Sequence, residues 1–225
     1  MARETVVDFI RHTDSVWTER ARARVEAKEV PLLGGRQNEL PLSTLGVEQA
    51  QVLGKYLTWQ GLDDPDMVLG SPANRARQTF TEAYGPSHTS RLYVPMDYFQ
   101  ERDWGDLTLQ PRAVLDQPPY LDQRQTLDSE FIPPNGESVS QVRDRMLAGL
   151  HYIIQVLGPG YYQVYGHQGS IKLLAGEYAT TATTNGLTPE QVDAHTLALA
   201  SITRLQMSAQ EGIRLARFGT PTINP

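Results

Sequence analysis

Short apolar runs alternate along this chain with longer segments of helical periodicity, and this alternation constrains the fold most. The first run, residues 6–10, is rich in β-branched residues and polar residues follow it, which predicts a buried strand. Further strands are predicted at 67–69, 92–94, 161–165, near 201–207 and near 213–218. Helices are predicted at 44–60, 74–83, about 137–157 and 168–178. Strands that alternate with helices favour right-handed crossovers and a mainly parallel sheet.

The predicted order of elements corresponds to an α/β fold. We expect a three-layer sandwich in which a mainly parallel central sheet carries helices on both faces. A length of 225 residues fits a single domain, 1–225, with room for an insertion.

Two stretches have no clear period and are predicted to be irregular, namely residues 13–40 and residues 105–136. The second is rich in Pro, Asp and Gln. A long irregular stretch inside a compact domain is usually a binding insertion or is disordered. We therefore expect a loop-rich cap insertion at about 106–136, with Trp104 and Tyr120 as apolar walls over a binding site.

Charge and composition exclude several classes of function. The net charge of −6 argues against a nucleic-acid-binding protein, which needs a basic face, although a few clustered arginines could still form a positive pocket. The absence of cysteine excludes disulfides, thiolate catalysis and zinc sites with cysteine ligands. The first residues lack the apolar stretch of a signal peptide, and no run approaches the roughly 18 apolar residues of a membrane span. These features predict a cytoplasmic protein without membrane or nucleic-acid partners.

Polar side chains follow each of the first four predicted strands. Arg11 and His12 follow the first strand and Arg75 follows the second. Glu101 comes a few residues after the third, and His167 follows the fourth where a helix begins. Because the carboxyl ends of parallel strands meet at one edge of a sheet, we expect these side chains to converge there.

This combination of side chains suits the hydrolysis of a phosphomonoester. A neutral imidazole can attack phosphorus and form a phosphohistidine that water later cleaves. Arginines bind phosphoryl oxygens with permanently charged, forked donors, and a helix N-terminus adds backbone N–H donors. A carboxylic acid can protonate the leaving oxygen and then take a proton from water.

A series of short motifs runs in order from about Val6 to Leu174. The motifs are Arg11-His12-Thr13, Pro41-Leu42-Ser43-Thr44-Leu45-Gly46, Ser71-Pro72-Ala73-Asn74-Arg75-Ala76-Arg77-Gln78-Thr79, Glu101-Arg102-Asp103-Trp104-Gly105, Gly136-Glu137-Ser138 and Tyr165-Gly166-His167-Gln168-Gly169. In these motifs and their order the chain resembles the histidine phosphatase superfamily, also called the phosphoglycerate mutase-like family. Each motif is weak alone, and the ordered series is quite specific.

The resemblance implies a role for each converging residue. His12 would be phosphorylated, and Arg11, Arg75 and His167 would complete the phosphate pocket. Glu101 would be the proton donor. The positions are those selected from the strand ends, although the choice of this carboxylate depends on the resemblance.

Several positions depart from the family pattern or extend it. Thr13 stands where the family usually has Gly, and a β-branched residue lacks the backbone freedom of Gly and its close approach to a ligand. Many members have, at the position of Thr18, an Asn that helps to hold phosphate in the mutases. Thr18 and Asn38 are therefore candidate substrate contacts, with Asn38 as a candidate replacement for that Asn. Gln168 stands where Gly is commoner and is a further candidate substrate contact. Arg102 resembles the arginine with which the mutases reach a substrate carboxylate.

We interpret the chain as a metal-independent phosphatase without a cofactor, acting on a small phosphorylated metabolite whose identity stays open. A phosphoglycerate-type phosphomutase is the first alternative, but the residues after Gly105 do not continue in the mutase manner. A non-catalytic module that binds a phosphate ester is the second, and Thr13 favours it. A metal hydrolase built from His12, His167 and Glu101 is the third, although neighbouring arginines would repel a cation. A homodimer through the C-terminal strands is left open.

Overall fold

The computed structural model describes residues 4–85, 92–127, 129–179, 192, 196–208 and 212–222. A six-stranded sheet in the order β3-β2-β4-β1-β5-β6 forms its centre. The strands are β1 (Thr5–Arg11), β2 (Met67–Gly70), β3 (Tyr93–Pro95), β4 (Tyr161–Gly166), β5 (Ile202–Ser208) and β6 (Gly212–Thr220). The pairings β1–β4, β2–β4 and β2–β3 are parallel, whereas β1–β5 and β5–β6 are antiparallel. The expectation of a mainly parallel sheet is confirmed.

Six α-helices are described around this sheet. They are α1 (Val16–Glu26), α2 (Thr44–Trp59), α3 (Asn74–Tyr84), α4 (Tyr120–Leu127), α5 (Val139–Tyr152) and α6 (Gln168–Tyr178). The predicted helices correspond to α2, α3, α5 and α6. A π-helical turn, Ile153–Leu157, continues α5 and ends at Gly158, whose φ of 82° leaves the helical region.

Alternating side chains of β1 build a separate core on each face of the sheet. Val7 and Phe9 belong to one buried cluster together with Met146 of α5 and residues of α6. Ile10 faces the other way and joins Leu53 of α2 and residues of α3. Side chains of a strand alternate between faces, so one apolar strand can serve both layers. The two clusters explain why helices cover both faces.

The helix α1 corrects the expectation that residues 13–40 are irregular. The Ser15 side chain caps this helix and accepts a hydrogen bond from the Thr18 N–H. No residue of the helix is buried. The segment therefore has no apolar stripe of helical period, which is the signal on which the prediction depended.

The cap segment, residues 106–136, contains more regular structure than its composition indicates. It has a 3₁₀ turn at Arg112–Asp116 and the helix α4. A small buried cluster joins Leu107, Leu115 and Phe131 of this region to Leu33. Tyr120 packs against Phe131 with ring centroids 6.0 Å apart, so it belongs to this small core.

No helix within the described ranges is both long and apolar enough to cross a membrane.

Close packing of α2 on α3 depends on Gly54, because a Cβ at this position would lie 1.8 Å from the Ala83 carbonyl oxygen. We expect Gly54→Ala to lower the free energy of unfolding by about 2 kcal/mol, since the two helices must separate. Urea denaturation would measure the change. Gly176→Ala in α6 is the matched control: its Cβ meets nothing within 4 Å, and Ala should stabilise the helix by up to about 1 kcal/mol. Equal effects of the two substitutions would contradict the packing argument.

Candidate active site

His12 follows β1 directly and is fixed by its backbone and its ring. Its N–H donates to the Gly166 carbonyl at 3.0 Å, which extends the pairing of β1 with β4. Its ring Nδ1 lies 2.7 Å from the Thr13 carbonyl oxygen. A carbonyl oxygen only accepts, so Nδ1 carries the hydrogen and Nε2 carries the lone pair. The side chain is 7% exposed.

His167 lies beside His12, with ring centroids 5.2 Å apart. It is the N-cap residue of α6 and is 1% exposed. Its Nε2 lies 2.8 Å from the Ser71 hydroxyl, and the oxygen of this hydroxyl accepts a hydrogen bond from the Ala73 N–H. Its Nδ1 is buried and has no hydrogen-bond partner among the described residues.

Two arginines complete the group, of which Arg75 is buried and Arg11 is partly buried. Arg75 is 4% exposed and donates from Nη1 to the Gln37 carbonyl at 2.5 Å. Arg11 donates from Nη1 to the Leu197 carbonyl, while its Nε is buried and lacks a partner in the described part of the chain. Burial lowers the pKa of Arg11 to about 10, and the charges of Glu101 and Asp14 offset part of that lowering.

The same surroundings keep both imidazoles neutral. Burial is the largest cause and lowers the pKa of His12 well below 6.5, and the charges of Arg75 and Arg11 lower it further. The hydrogen bond to the Thr13 carbonyl opposes this shift. Burial and the Arg75 charge likewise lower the pKa of His167. A neutral His12 offers a lone pair without first losing a proton.

Glu101 is held by backbone donors on both carboxylate oxygens. The Arg102 N–H donates to Oε1 at 2.9 Å, and the Gly169 N–H donates to Oε2 at 3.2 Å. A Cβ on Gly169 would lie 2.7 Å from Oε1, so a glycine is needed for this approach. The second donor lies in the first turn of α6, where the helix dipole favours negative charge.

A network of ion pairs fixes the main chain that carries Glu101. Arg145 donates to the Glu101 carbonyl at 3.1 Å, and both oxygens of Glu137 accept hydrogen bonds from the same guanidinium. Arg36 binds Glu137 from another side, with N and O atoms 2.8 Å apart. Burial alone would raise the pKa of Glu137, but the hydrogen bond and charge of Arg145, the Asp103 N–H and the Arg36 charge lower it overall. We call Arg36, Glu137 and Arg145 the carboxylate clamp.

Thr13 fits its position without glycine-like geometry. It is not among the described non-glycine residues with positive φ. Its hydroxyl donates to the Gly46 carbonyl at 2.8 Å, and its N–H donates to the Thr79 hydroxyl at 3.1 Å. The side chain thus ties the loop after β1 to α2 and α3.

The structure places the predicted substrate contacts in different surroundings. Gln168 and Arg102 line a cavity next to Glu101. Arg102 also donates from Nε to the Glu137 carbonyl at 2.9 Å and lies over the Trp104 ring, 4.1 Å from its centroid. These two residues therefore border the space beside the proposed proton donor.

Thr18 and Asn38 are not among the residues that line this cavity. The Thr18 hydroxyl lies 2.9 Å from that of Ser15, within the cap of α1. Asn38 donates to the Gln100 side chain at 3.2 Å, and its Oδ1 is buried without a partner among the described residues. Their predicted role in substrate binding stays a prediction.

The cavity beside Glu101 has a volume of about 490 Å³. Its walls are Gly34, Gly35, Glu101, Arg102, Trp104, Arg112, Val139, Gln168, Gly169, Lys172 and Leu173. Trp104 lines this cavity, whereas Tyr120, the other expected wall, is not among the lining residues and packs against Phe131. The cap segment contributes Arg112 to this lining.

The sequence analysis did not identify the residues that position His167 and Glu101 through hydrogen bonds and ion pairs. Ser71 stands in a quoted motif, and its position after β2 was the available signal for a contact with His167. Glu137 of the carboxylate clamp stands in one of the motifs, and Arg145 follows it by eight residues within α5. No local pattern indicates their contact with each other or with Arg36, which comes from a distant segment. Charged residues on a helix are usually solvated, so Arg145 was indistinguishable from its neighbours.

No group of three or more His, Cys, Asp or Glu side chains within the described ranges is arranged to hold a metal ion.

The buried charges predict the titration of His12. Because burial, Arg75 and Arg11 all lower its pKa, we expect the ring to stay neutral, with hydrogen on Nδ1, as the pH falls through 6.5. NMR titration of the imidazole nitrogens would measure this, with His12→Ala to assign the signal. Arg75→Met should move the titration midpoint upward. A midpoint at or above 6.5 in the unaltered protein would contradict the prediction.

The chain is similar in sequence and in fold to several proteins that are described as phosphatases. The uncharacterized phosphatase PhoE of Bacillus subtilis is 26% identical over 176 residues, which cover 77% of both chains. The structure of the α-ribazole phosphatase from Shigella flexneri has a TM-score of 0.72 at 19% identity, covering 98% of this chain and 100% of that one. A mycobacterial glucosyl-3-phosphoglycerate phosphatase has a TM-score of 0.70 at 19% identity, with the same coverage.

The family comparison covers nearly the whole chain. The model that describes the histidine phosphatase superfamily, branch 1, matches residues 7–219. This range includes the two histidines, the two arginines and Glu101, and it extends through the antiparallel strands at the edge of the sheet. The chain belongs to the histidine phosphatase superfamily.

Proposed function

We propose that the protein is a phosphatase that hydrolyses a phosphomonoester through a phosphohistidine on His12. The observation that carries the proposal is the hydrogen bond from His12 Nδ1 to the Thr13 carbonyl. It leaves the lone pair of a buried, neutral ring on Nε2, beside two arginines and a second histidine. The resemblance noted in the sequence assigns the nucleophile to the same residue.

In the first step His12 Nε2 attacks phosphorus, and the bond between phosphorus and the ester oxygen breaks. Glu101, as a carboxylic acid, gives its proton to the leaving oxygen. In the second step water attacks phosphorus and passes a proton to Glu101, the bond from Nε2 to phosphorus breaks, and inorganic phosphate leaves. The Thr13 carbonyl stabilises the ring while it carries positive charge, because it accepts the Nδ1–H.

The surrounding groups stabilise the charge on the phosphoryl oxygens. Arg11 and Arg75 supply cationic donors in a buried site, where charge interactions are stronger than in water. We assign the hydrogen between Ser71 and Nε2 of His167 to the Ser71 hydroxyl, because Nδ1 of His167, buried without a partner among the described residues, is the ring nitrogen available to donate to a phosphoryl oxygen. Nδ1 of His167 then carries the ring hydrogen and becomes a further donor to the phosphoryl group.

Phosphatase is favoured over phosphomutase on two grounds. The B. subtilis, Shigella and mycobacterial relatives are described as phosphatases. Arg102, which resembles the mutase arginine, donates to the carbonyls of Glu137 and Phe131. An arginine bound in this way supports the wall of the site.

The proposal also weighs against a metal hydrolase and a binding module. Arg11 and Arg75 flank His12 and would repel a cation. Thr13 directs its hydroxyl to the Gly46 carbonyl, so the residue that favoured a binding module serves the packing of the loop.

The direct test is turnover of p-nitrophenyl phosphate with a chelator present. We expect turnover by the unaltered protein and a fall in turnover by a factor of at least about 1,000 in His12→Ala, because the substitution removes the proposed nucleophile. Phosphorus NMR after quenching in alkali should show phosphohistidine bonded through Nε2. His151→Ala, at an exposed position of α5, is the control. Tight binding without turnover would favour the binding module, and loss of turnover on chelation would favour a metal hydrolase.

The carboxylate clamp predicts a dependence on the leaving group. Glu137→Gln removes the charge that holds Arg36 and Arg145 beside the Glu101 main chain. We expect kcat to fall roughly tenfold for an alkyl phosphate, whose leaving oxygen needs a proton, because a small misplacement of the acid is costly. The fall should be smaller for p-nitrophenyl phosphate.

Asp144→Asn is the matched control for the clamp, since this exposed carboxylate on α5 pairs with Arg143. It should leave both rates unchanged. Equal losses for the two substrates in Glu137→Gln would indicate a general structural role and contradict positioning of the acid.

A further inference from the structure

The cavity next to Glu101 is where the leaving group must lie. If Glu101 protonates the leaving oxygen, the remainder of the substrate occupies the space that Glu101 borders. That space is the cavity of about 490 Å³ described above, which is of the size that holds a small metabolite. The chemistry of its other walls therefore selects the substrate.

Cationic side chains dominate the charged part of these walls. Arg102, Arg112 and Lys172 line the cavity, and Glu101 is the carboxylate among the lining residues. The whole chain has a net charge of −6, so this local excess of positive charge is opposite in sign to the protein. A cavity with one sign of charge concentrates ligands of the other sign.

Arg112 is placed by backbone hydrogen bonds on a fixed part of the cap segment. Its N–H donates to the Pro31 carbonyl at 2.7 Å, and the Leu109 N–H donates to the Leu33 carbonyl at 2.8 Å. Its guanidinium has no hydrogen-bond or ion-pair partner in the parts of the chain that the structure describes. A forked cationic donor is thus presented on a fixed backbone at the cavity wall.

Lys172 reaches the same cavity from the opposite element, α6. It follows Gln168 by four positions and Gly169 by three, and all three residues line the cavity. Residues with this spacing share one face of a helix. The Gly169 N–H binds Glu101, so Lys172 lies one turn further along the helix from the proposed acid.

We propose that the cavity binds a second anionic group, carried by the leaving group of the substrate, between Arg112 and Lys172. The group is a carboxylate or a second phosphate, since both accept hydrogen bonds from guanidinium and ammonium groups. The inference rests on the proposed phosphatase function and adds to it the class of substrate. Arg102, bound to backbone carbonyls, supports the wall of this subsite.

Matched pairs of esters test the subsite. In the carboxylate arm, 3-phosphoglycerate is compared with glycerol 3-phosphate, which has a neutral hydroxymethyl group in place of the carboxylate. In the phosphate arm, fructose 1,6-bisphosphate is compared with fructose 6-phosphate. We expect kcat/KM in the unaltered protein to be higher for the anionic member of one pair by about tenfold, the value of one charged hydrogen bond. The arm with the larger ratio identifies the group.

The ratio of kcat/KM between the anionic ester and its matched partner should fall by about tenfold in Arg112→Met and likewise in Lys172→Met, mainly through KM. Turnover of p-nitrophenyl phosphate, which has no second anion, should stay within about twofold of the unaltered protein. Arg112→Lys should recover part of the ratio. Lys55→Met is the control, because it removes one positive charge from a separate groove between α2 and α3.

Two results would overturn the subsite while leaving the proposed function intact. One is a kcat/KM ratio near one within both ester pairs for the unaltered protein. The other is an equal loss of kcat/KM for all substrates in Arg112→Met and Lys172→Met, which would indicate general attraction of anions. Failure of the proposed function would appear separately, as no turnover of p-nitrophenyl phosphate by the unaltered protein. Calorimetric binding of each pair would then test the subsite, and equal affinities within both pairs would overturn it.

Discussion

The parallel pairing of β1 with β4 is the constraint on which the candidate site depends. Its register sets Arg11 opposite Gly166, and the next residue of each strand is a histidine. The His12 N–H continues the ladder by donating to the Gly166 carbonyl. The backbone pairing therefore brings together two imidazoles from distant parts of the sequence, with ring centroids 5.2 Å apart. A shift of one residue would turn every side chain of β1 to the opposite face, which both buried cores oppose.

The carboxylates of the site are paired with donors from the protein itself, whereas its two arginines have only carbonyl partners among the described residues and can bind an anionic ligand. Glu101 and the clamp are surrounded by donors, and both carboxylate oxygens of Glu101 accept backbone N–H groups. Arg11 and Arg75 have carbonyl partners, yet burial lowers the pKa of both. Buried cations without a full set of anionic partners are costly, and an incoming phosphoryl group removes that cost. The site is thus preorganised for an anion.

Helices and strands could be predicted where apolar residues recur with a regular period. Site residues could be predicted where a polar side chain directly follows a strand. The β1 run and the apolar stripe of α5 have such periods, and Arg11, His12 and His167 stand at strand ends. The helix α1 has no buried residue and therefore no stripe. The clamp could not be found, because its three members meet only in the folded chain. The hydroxyl of Thr13 found partners in Gly46 and Thr79 that no local pattern indicates.

The ladder between residues 31–33 and 109–112 has a consequence for how this protein can diverge. The sheet edge holds the groups proposed to handle the phosphoryl group, while Gly34, Gly35 and Arg112 of the cavity wall belong to two segments that are hydrogen-bonded to each other. Surface segments tolerate insertions and replacements that a sheet does not. Because the two segments are hydrogen-bonded to each other, paired changes in them can accumulate and shift this part of the cavity wall as one unit. Selection for a new metabolite could therefore remodel that unit and leave the reaction chemistry as it is.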